Sequence, residues 1–152
     1  MNIAQPNIAQ LNIARLAAPL DSPRLKGFVD LLAEINDLAD RSPGFVWRLQ
    51  DESGDATAIR PFGDDVIVNL TVWESIEALY AYTYRSAHLP VLQRRREWFE
   101  RSAGPHLVLW WIDGSARPTV AEAARRLAHL DEHGPTPDAF TFRTQFAATL
   151  PA

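Results

Sequence analysis

The side chains best suited to chemistry in this chain gather between residues 72 and 111. That segment reads VWES, then YRSAH at 84–88, RRREWF at 94–99 and LVLWW at 107–111. His88 is the best general-base candidate, because an imidazole titrates near 6.5 and serves as acid, base or metal ligand. The structural alternative for His88 is a helix-start histidine bonded to backbone. Arg94, Arg95 and Arg96 follow on what reads as the same helix. Successive helical residues sit about 100° apart, so the three cannot all face one way. Arg95 or Arg96, turned inward, would share a stripe with His88, Leu92 and Phe99. Its planar fork would hold a carboxylate, phenolate or enolate. Trp73 offers either a flat wall to an aromatic ligand or plain core packing. No phosphate loop, serine nucleophile elbow or zinc motif is present. The acidic run from Asp51 to Asp65 lacks calcium-loop spacing. His129 and His133 are four apart without an evident third ligand, so no metal site is expected.

The chain of 152 residues has the length of one domain with a proper core. Its net charge of -4 implies no general nucleic-acid affinity. With no cysteine there is no disulfide, thiolate metal site or cysteine nucleophile, which fits a cytoplasmic protein. No apolar run approaches the ~20 residues of a membrane span. Residues 1–6 carry the first of three copies of an NIA-containing repeat and read as a disordered extension. Residues 7–152 read as the single domain.

The elements that must position these residues follow from pattern. Asn7 to Leu16 reads as a strand. Ser22-Pro23 starts a helix whose apolar stripe is Leu25, Phe28, Leu31, Leu32, Ile35 and Leu38, stopped by Ser42-Pro43-Gly44. Phe45 to Gln50 and Val66 to Trp73 read as strands around a polar loop. Ser75 caps a second helix that pauses near Arg85-Ser86 and resumes through Phe99. Pro90 fits only at the start of the resumed segment. His106 to Ile112 is a strand, and Thr119 to Glu122 is a capping box for a last helix. A tail strand, Ala139 to Phe146, follows. The fold class is α+β: a ferredoxin-like βαββαβ unit with an extra C-terminal helix and tail strand.

Alternation divides the sheet into two faces. Val66, Val68, Leu70 and Val72 form an apolar face, expected under the helices. Gln10, Asn12, Arg48, Gln50, Asn69, Thr71 and Trp73 assemble on the other. The last strand is apolar on both sides, so both faces should be covered. A second copy of the same sheet is the simplest cover for the face the helices leave.

The WES, YRSAH, RRREWF, LWW, HGPTP and AFTF motifs resemble those of a bacterial domain-of-unknown-function family in the dimeric α/β-barrel superfamily. That superfamily includes antibiotic-biosynthesis monooxygenases and heme-degrading monooxygenases. The resemblance covers Asn7 to Phe142 and implies a homodimer with a pocket between sheet and helices. In the heme-degrading branch it points to Asn12, Trp73 and His88, with Asn7 competing for the first role; the Trp73–His88 interval is longer here than in that branch. The expectation is a cytoplasmic enzyme for a small aromatic or polyketide-like molecule, with cofactor-free oxygenation or isomerisation as its chemistry. His88 would be its catalytic base. Asn12, Arg48, Asn69, Trp73, Arg95, Arg96 and Phe99 would line the substrate site. Heme binding and a non-catalytic dimeric ligand-binding module are the alternatives. No nucleic-acid or membrane partner is expected.

Overall fold

Alternating β-branched and leucine residues build a central antiparallel pair, β1 (Asn7–Leu16) and β3 (Val66–Trp73). The computed structural model describes residues 5–101 and 104–148; the expected disorder of residues 1–4 lies outside them. β1 and β3 pair from Ile8↔Trp73 through Gln10↔Thr71 and Asn12↔Asn69 to Arg15↔Val66. β2 (Phe45–Arg48) adds to the far edge of β3. β5 (Leu107–Ile112) and the two-residue β4 (Phe99–Glu100) share the other edge of β1. The order β2-β3-β1-β5, antiparallel throughout, is that of the split βαβ unit.

α1 (Lys26–Arg41) joins β1 to β2, and α2 (Ile76–Arg85) follows β3. Ser22 does not cap α1. Its hydroxyl donates to the Pro19 carbonyl, Pro23 opens a 3-10 turn, and α1 starts at Lys26. Ser75 does cap α2, its hydroxyl accepting from the Ala78 amide at 3.1 Å. The helix pauses at Arg85-Ser86 as expected, but the resumed segment breaks once more at Arg94, into α3 (His88–Gln93) and α4 (Arg95–Trp98). Phe99 is already extended in β4, so His88 and Phe99 do not share a helical stripe. α5 (Val120–His133) begins with Thr119 accepting from the Glu122 amide and ends at Gly134, φ 73°. Among the described residues the tail pairs with β5 only at Leu109↔Phe140. No described helix is long and apolar enough to cross a membrane.

The two faces are covered the other way round from the expectation. The apolar face, Val68, Leu70 and Val72 with Ala9, Leu11, Val108 and Trp110, packs under α5 and the loop residues Ala56, Ile59 and Phe62. The mixed face lies under α1 and α2. Right-handed βαβ crossovers place the helices by chain handedness, whatever the polarity beneath them. The cover assigned to a second copy is thus supplied within the chain. β2 differs as well. A bulge between Phe45 and Trp47 puts Phe45 against Trp73 on the mixed face and leaves Trp47 opposite Val72.

Candidate functional site

Polar side chains in the middle of a helix-covered face need partners, and three of them find one another. Gln10 and Thr71 face each other across the β1–β3 ladder and are almost fully buried. Gln10 Nε2 donates to Thr71 Oγ1 at 2.8 Å and to Asn69 Oδ1 at 3.0 Å. Trp73 Nε1, from a fully buried ring, donates to the same Thr71 Oγ1 at 2.9 Å. One hydroxyl therefore fixes both the indole and the glutamine amide.

Asn69 is exposed although it faces the helices from an inner strand, and its partner Asn12 is half-buried. On α1, Leu32, Ile35 and Leu38 are also only half-buried. The two ends of this face are packed, and Asn69 and Asn12 between them remain accessible. At one end Trp73 packs with Phe45, Ile76 and Leu79; at the other Trp98 packs with Leu16, Leu25 and Ile67.

His88 reaches this face through an aromatic stack. The Tyr82 ring is tilted against both neighbours, its centroid 5.0 Å from that of Trp73 and 4.9 Å from that of His88. His88 Nδ1 is 3.0 Å from the Thr83 carbonyl, which can only accept, so Nδ1 carries the proton and Nε2 keeps its lone pair. Burial pushes the imidazole pKa down, against the pull of that carbonyl, and holds the ring neutral. Ser86 Oγ accepts from the His88 amide at 3.1 Å and donates to the Tyr82 carbonyl. Tyr82 is pushed far above the ordinary phenol value, by burial first and by Asp40 second, with Arg48 opposing. It remains a neutral phenol, with its hydroxyl 3.5 Å from the Ile35 carbonyl of α1.

The structure divides the residues singled out from sequence. Asn12 and Asn69 pair on the mixed face, Trp73 lies on the same face four residues further along β3, and His88 touches Tyr82, which in turn touches Trp73. Arg48 is on that face too, but its guanidinium is held by Asp40 at 2.8 Å and by the Gly54 carbonyl. Arg95 and Arg96 are exposed, and Phe99 packs edge-on against Phe28 at 5.0 Å, away from His88. Arg94 stacks over Trp98 and pairs with Glu97. Asn7 turns to the apolar face and donates to the Gly114 carbonyl, which removes it from competition with Asn12. Gln10, Thr71 and Tyr82 were not among the expected site residues. Both Gln10 and Thr71 had been placed on the mixed face, and their cross-strand pairing with each other could have found them; no sequence signal separates Tyr82 from Tyr80 and Tyr84.

Among the described residues, no group of three or more metal-ligating side chains is placed to hold an ion. The residues do not fit a heme. Tyr82 fills the space between Trp73 and His88, and the Trp73 indole is locked to Thr71. Two surface hollows lie apart from the asparagines. One, of about 700 Å³, is lined by Leu16, Leu20, Val29 and Arg60. The other, of about 440 Å³, lies against Glu74, Tyr82, Arg85 and Ser86.

Comparison with known proteins gives a family and distant structural likenesses. The family described as "Domain of unknown function (DUF3291)" matches residues 7–151. No curated protein matches the chain. Among solved structures, SnoaB of Streptomyces nogalater, described as a cofactor-independent oxygenase, is 20% identical, with a TM-score of 0.46 over 75% of this chain and 96% of its own. A putative antibiotic biosynthesis monooxygenase of Nitrosomonas europaea is 11% identical, with a TM-score of 0.46 over 78% of this chain and 99% of its own. Another from Chloroflexus aurantiacus J-10-fl is 15% identical, with a TM-score of 0.43 over 75% and 98%.

Proposed function

We propose that this chain, which belongs to the DUF3291 family, is a cytoplasmic enzyme for a flat aromatic or polyketide-like molecule. The ligand lies in the accessible middle of the mixed face, over Asn12 and Asn69. The observation that carries the reading is the Trp73–Tyr82–His88 stack, which ends in a neutral imidazole with a free Nε2 lone pair. A half-buried neutral histidine is suited to accept a proton from a phenol or an activated carbon acid. Asn12 and Asn69 then stabilise the developing oxyanion.

The reaction is cofactor-free oxygenation or isomerisation. In the oxygenation the substrate carbanion reduces dioxygen, and a methylene carbon becomes a carbonyl carbon. One oxygen atom stays as the new carbonyl oxygen, and the other leaves as water with the two methylene hydrogens. In the isomerisation the proton returns at another atom. Arg48, Arg95 and Arg96 have no part in either, since Arg48 is already paired and Arg95 and Arg96 are exposed. A homodimer belongs to the proposal, with its contact elsewhere than the apolar sheet face that α5 already covers.

The test is oxygen uptake and product formation with polycyclic phenols and their keto tautomers, comparing wild type with His88→Gln. Loss of turnover with an unchanged fold supports the mechanism, and equal turnover discards it.

A further inference from the structure

We propose that Gln10 is a positioning residue that turns the Asn69 carboxamide so that its NH2 group faces the accessible part of the helix–sheet layer. This makes the site a donor site for a carbonyl or phenolate oxygen, and it rests on the functional reading above.

The direction of the hydrogen bonds carries the inference. An indole N–H can only donate, so Thr71 Oγ1 must accept from Trp73. The same oxygen accepts one N–H of Gln10 Nε2, and the other N–H of that nitrogen goes to Asn69 Oδ1. Gln10, Thr71 and Trp73 are 4%, 3% and 0% exposed, so water does not compete for the two bonds to Thr71 Oγ1, while the bond to Asn69 is part-buried. A buried amide that lost such partners would be penalised. With Oδ1 held, the group Asn69 has left to offer from its exposed position is Nδ2.

The ligand class follows. Among the described residues this part of the layer presents carboxamides and no free cation, because the Arg48 guanidinium is occupied by Asp40 and Gly54. A permanent carboxylate or phosphate would enter without a counter-charge. A neutral ketone or phenol meets an N–H donor at its oxygen, and that bond strengthens as negative charge develops there. The arrangement therefore favours molecules that become anions during the reaction over molecules that arrive as anions.

The first arm of the test is through-hydrogen-bond NMR coupling on the uniformly 13C,15N-labelled protein. The expected result is a correlation from Gln10 Nε2 to Asn69 Cγ that is absent in Gln10→Glu. A correlation in the reverse sense, from Asn69 Nδ2 to Gln10 Cδ, or none in a folded wild type, overturns the proposal. The second arm is steady-state turnover of Gln10→Glu, whose carboxylate only accepts and so turns Asn69 Oδ1 outward. A kcat lower by roughly 100-fold, with KM changed only a few-fold, is expected from loss of one oxyanion donor; an unchanged kcat overturns the role. Gln10→Met, which keeps the chain length without an amide, controls for packing. A wild type with no turnover refutes the proposed function, while the coupling still decides the orientation of Asn69.

Discussion

Replacing Thr71 by valine should destabilise the protein more than replacing it by serine. Valine keeps the shape of threonine and removes the hydroxyl that accepts from Gln10 Nε2 and Trp73 Nε1. Both donors are buried, and each left without an acceptor costs ~1–3 kcal/mol. The added methyl group returns ~1 kcal/mol of apolar burial. The net loss is about 1–5 kcal/mol, or roughly 3–15 °C in Tm for a chain of this length. Serine keeps the hydroxyl and loses one methyl group, for ~1 kcal/mol. Urea unfolding followed by tryptophan fluorescence, with m-values compared, measures both variants. A valine variant as stable as the serine variant, at equal m, would refute the claim that this hydroxyl anchors the site.

Other perturbations follow from single contacts. Gly44 has φ +81°, and a Cβ there would lie 2.5 Å from the Ala78 Cβ of α2, so Gly44→Ala should cost about 2–4 kcal/mol by thermal unfolding. Asp40→Asn leaves the Arg48 guanidinium, 11% exposed, with a neutral partner. The half-exposure of Asp40 limits the expected loss to ~1–2 kcal/mol, read by denaturation at low and high salt. His88 binds its proton more weakly folded than unfolded, so its contribution to stability is full above pH 6.5 and is lost as pH falls through the lowered folded value. The slope from His88 is at most ~1.4 kcal/mol per pH unit. Denaturation midpoints between pH 7 and 5 should fall less in His88→Gln than in wild type. His106, lowered by burial and then by Arg95, adds a slope in the same sense that the variant retains.

The strand limits Asn7–Leu16 and Val66–Trp73 were legible from alternation, because a central strand imposes period two on its whole length. The capping serine and threonine of α2 and α5 were legible from their local pattern. The side of the sheet that receives α1 and α2 was not. Polarity suggested the valine face, whereas crossover handedness decides the matter, and α5 supplied the cover assigned to a second copy. The break at Arg94 is not legible because residues 88–98 all tolerate a helix, yet the chain turns extended at Phe99 as Trp98 and Phe99 both pack against Phe28. Of the site, the polar face was readable and its hydrogen bonds were not. Period two places Gln10, Asn69 and Thr71 on one face. Only the cross-strand register, which depends on pairing far along the chain, makes them neighbours. The arginines misled because composition shows charge and not occupancy: Arg48 is spent on Asp40.

The measurement that bears most directly on the central claim is turnover under oxygen of a panel of polycyclic phenols and ketones, by wild type and His88→Gln side by side. At least one neutral member should be converted by the wild type. His88→Gln should lower kcat by roughly 100- to 10,000-fold while the fold stays intact by circular dichroism. Conversion at the wild-type rate by the variant, or no conversion of any member by the wild type, would contradict it.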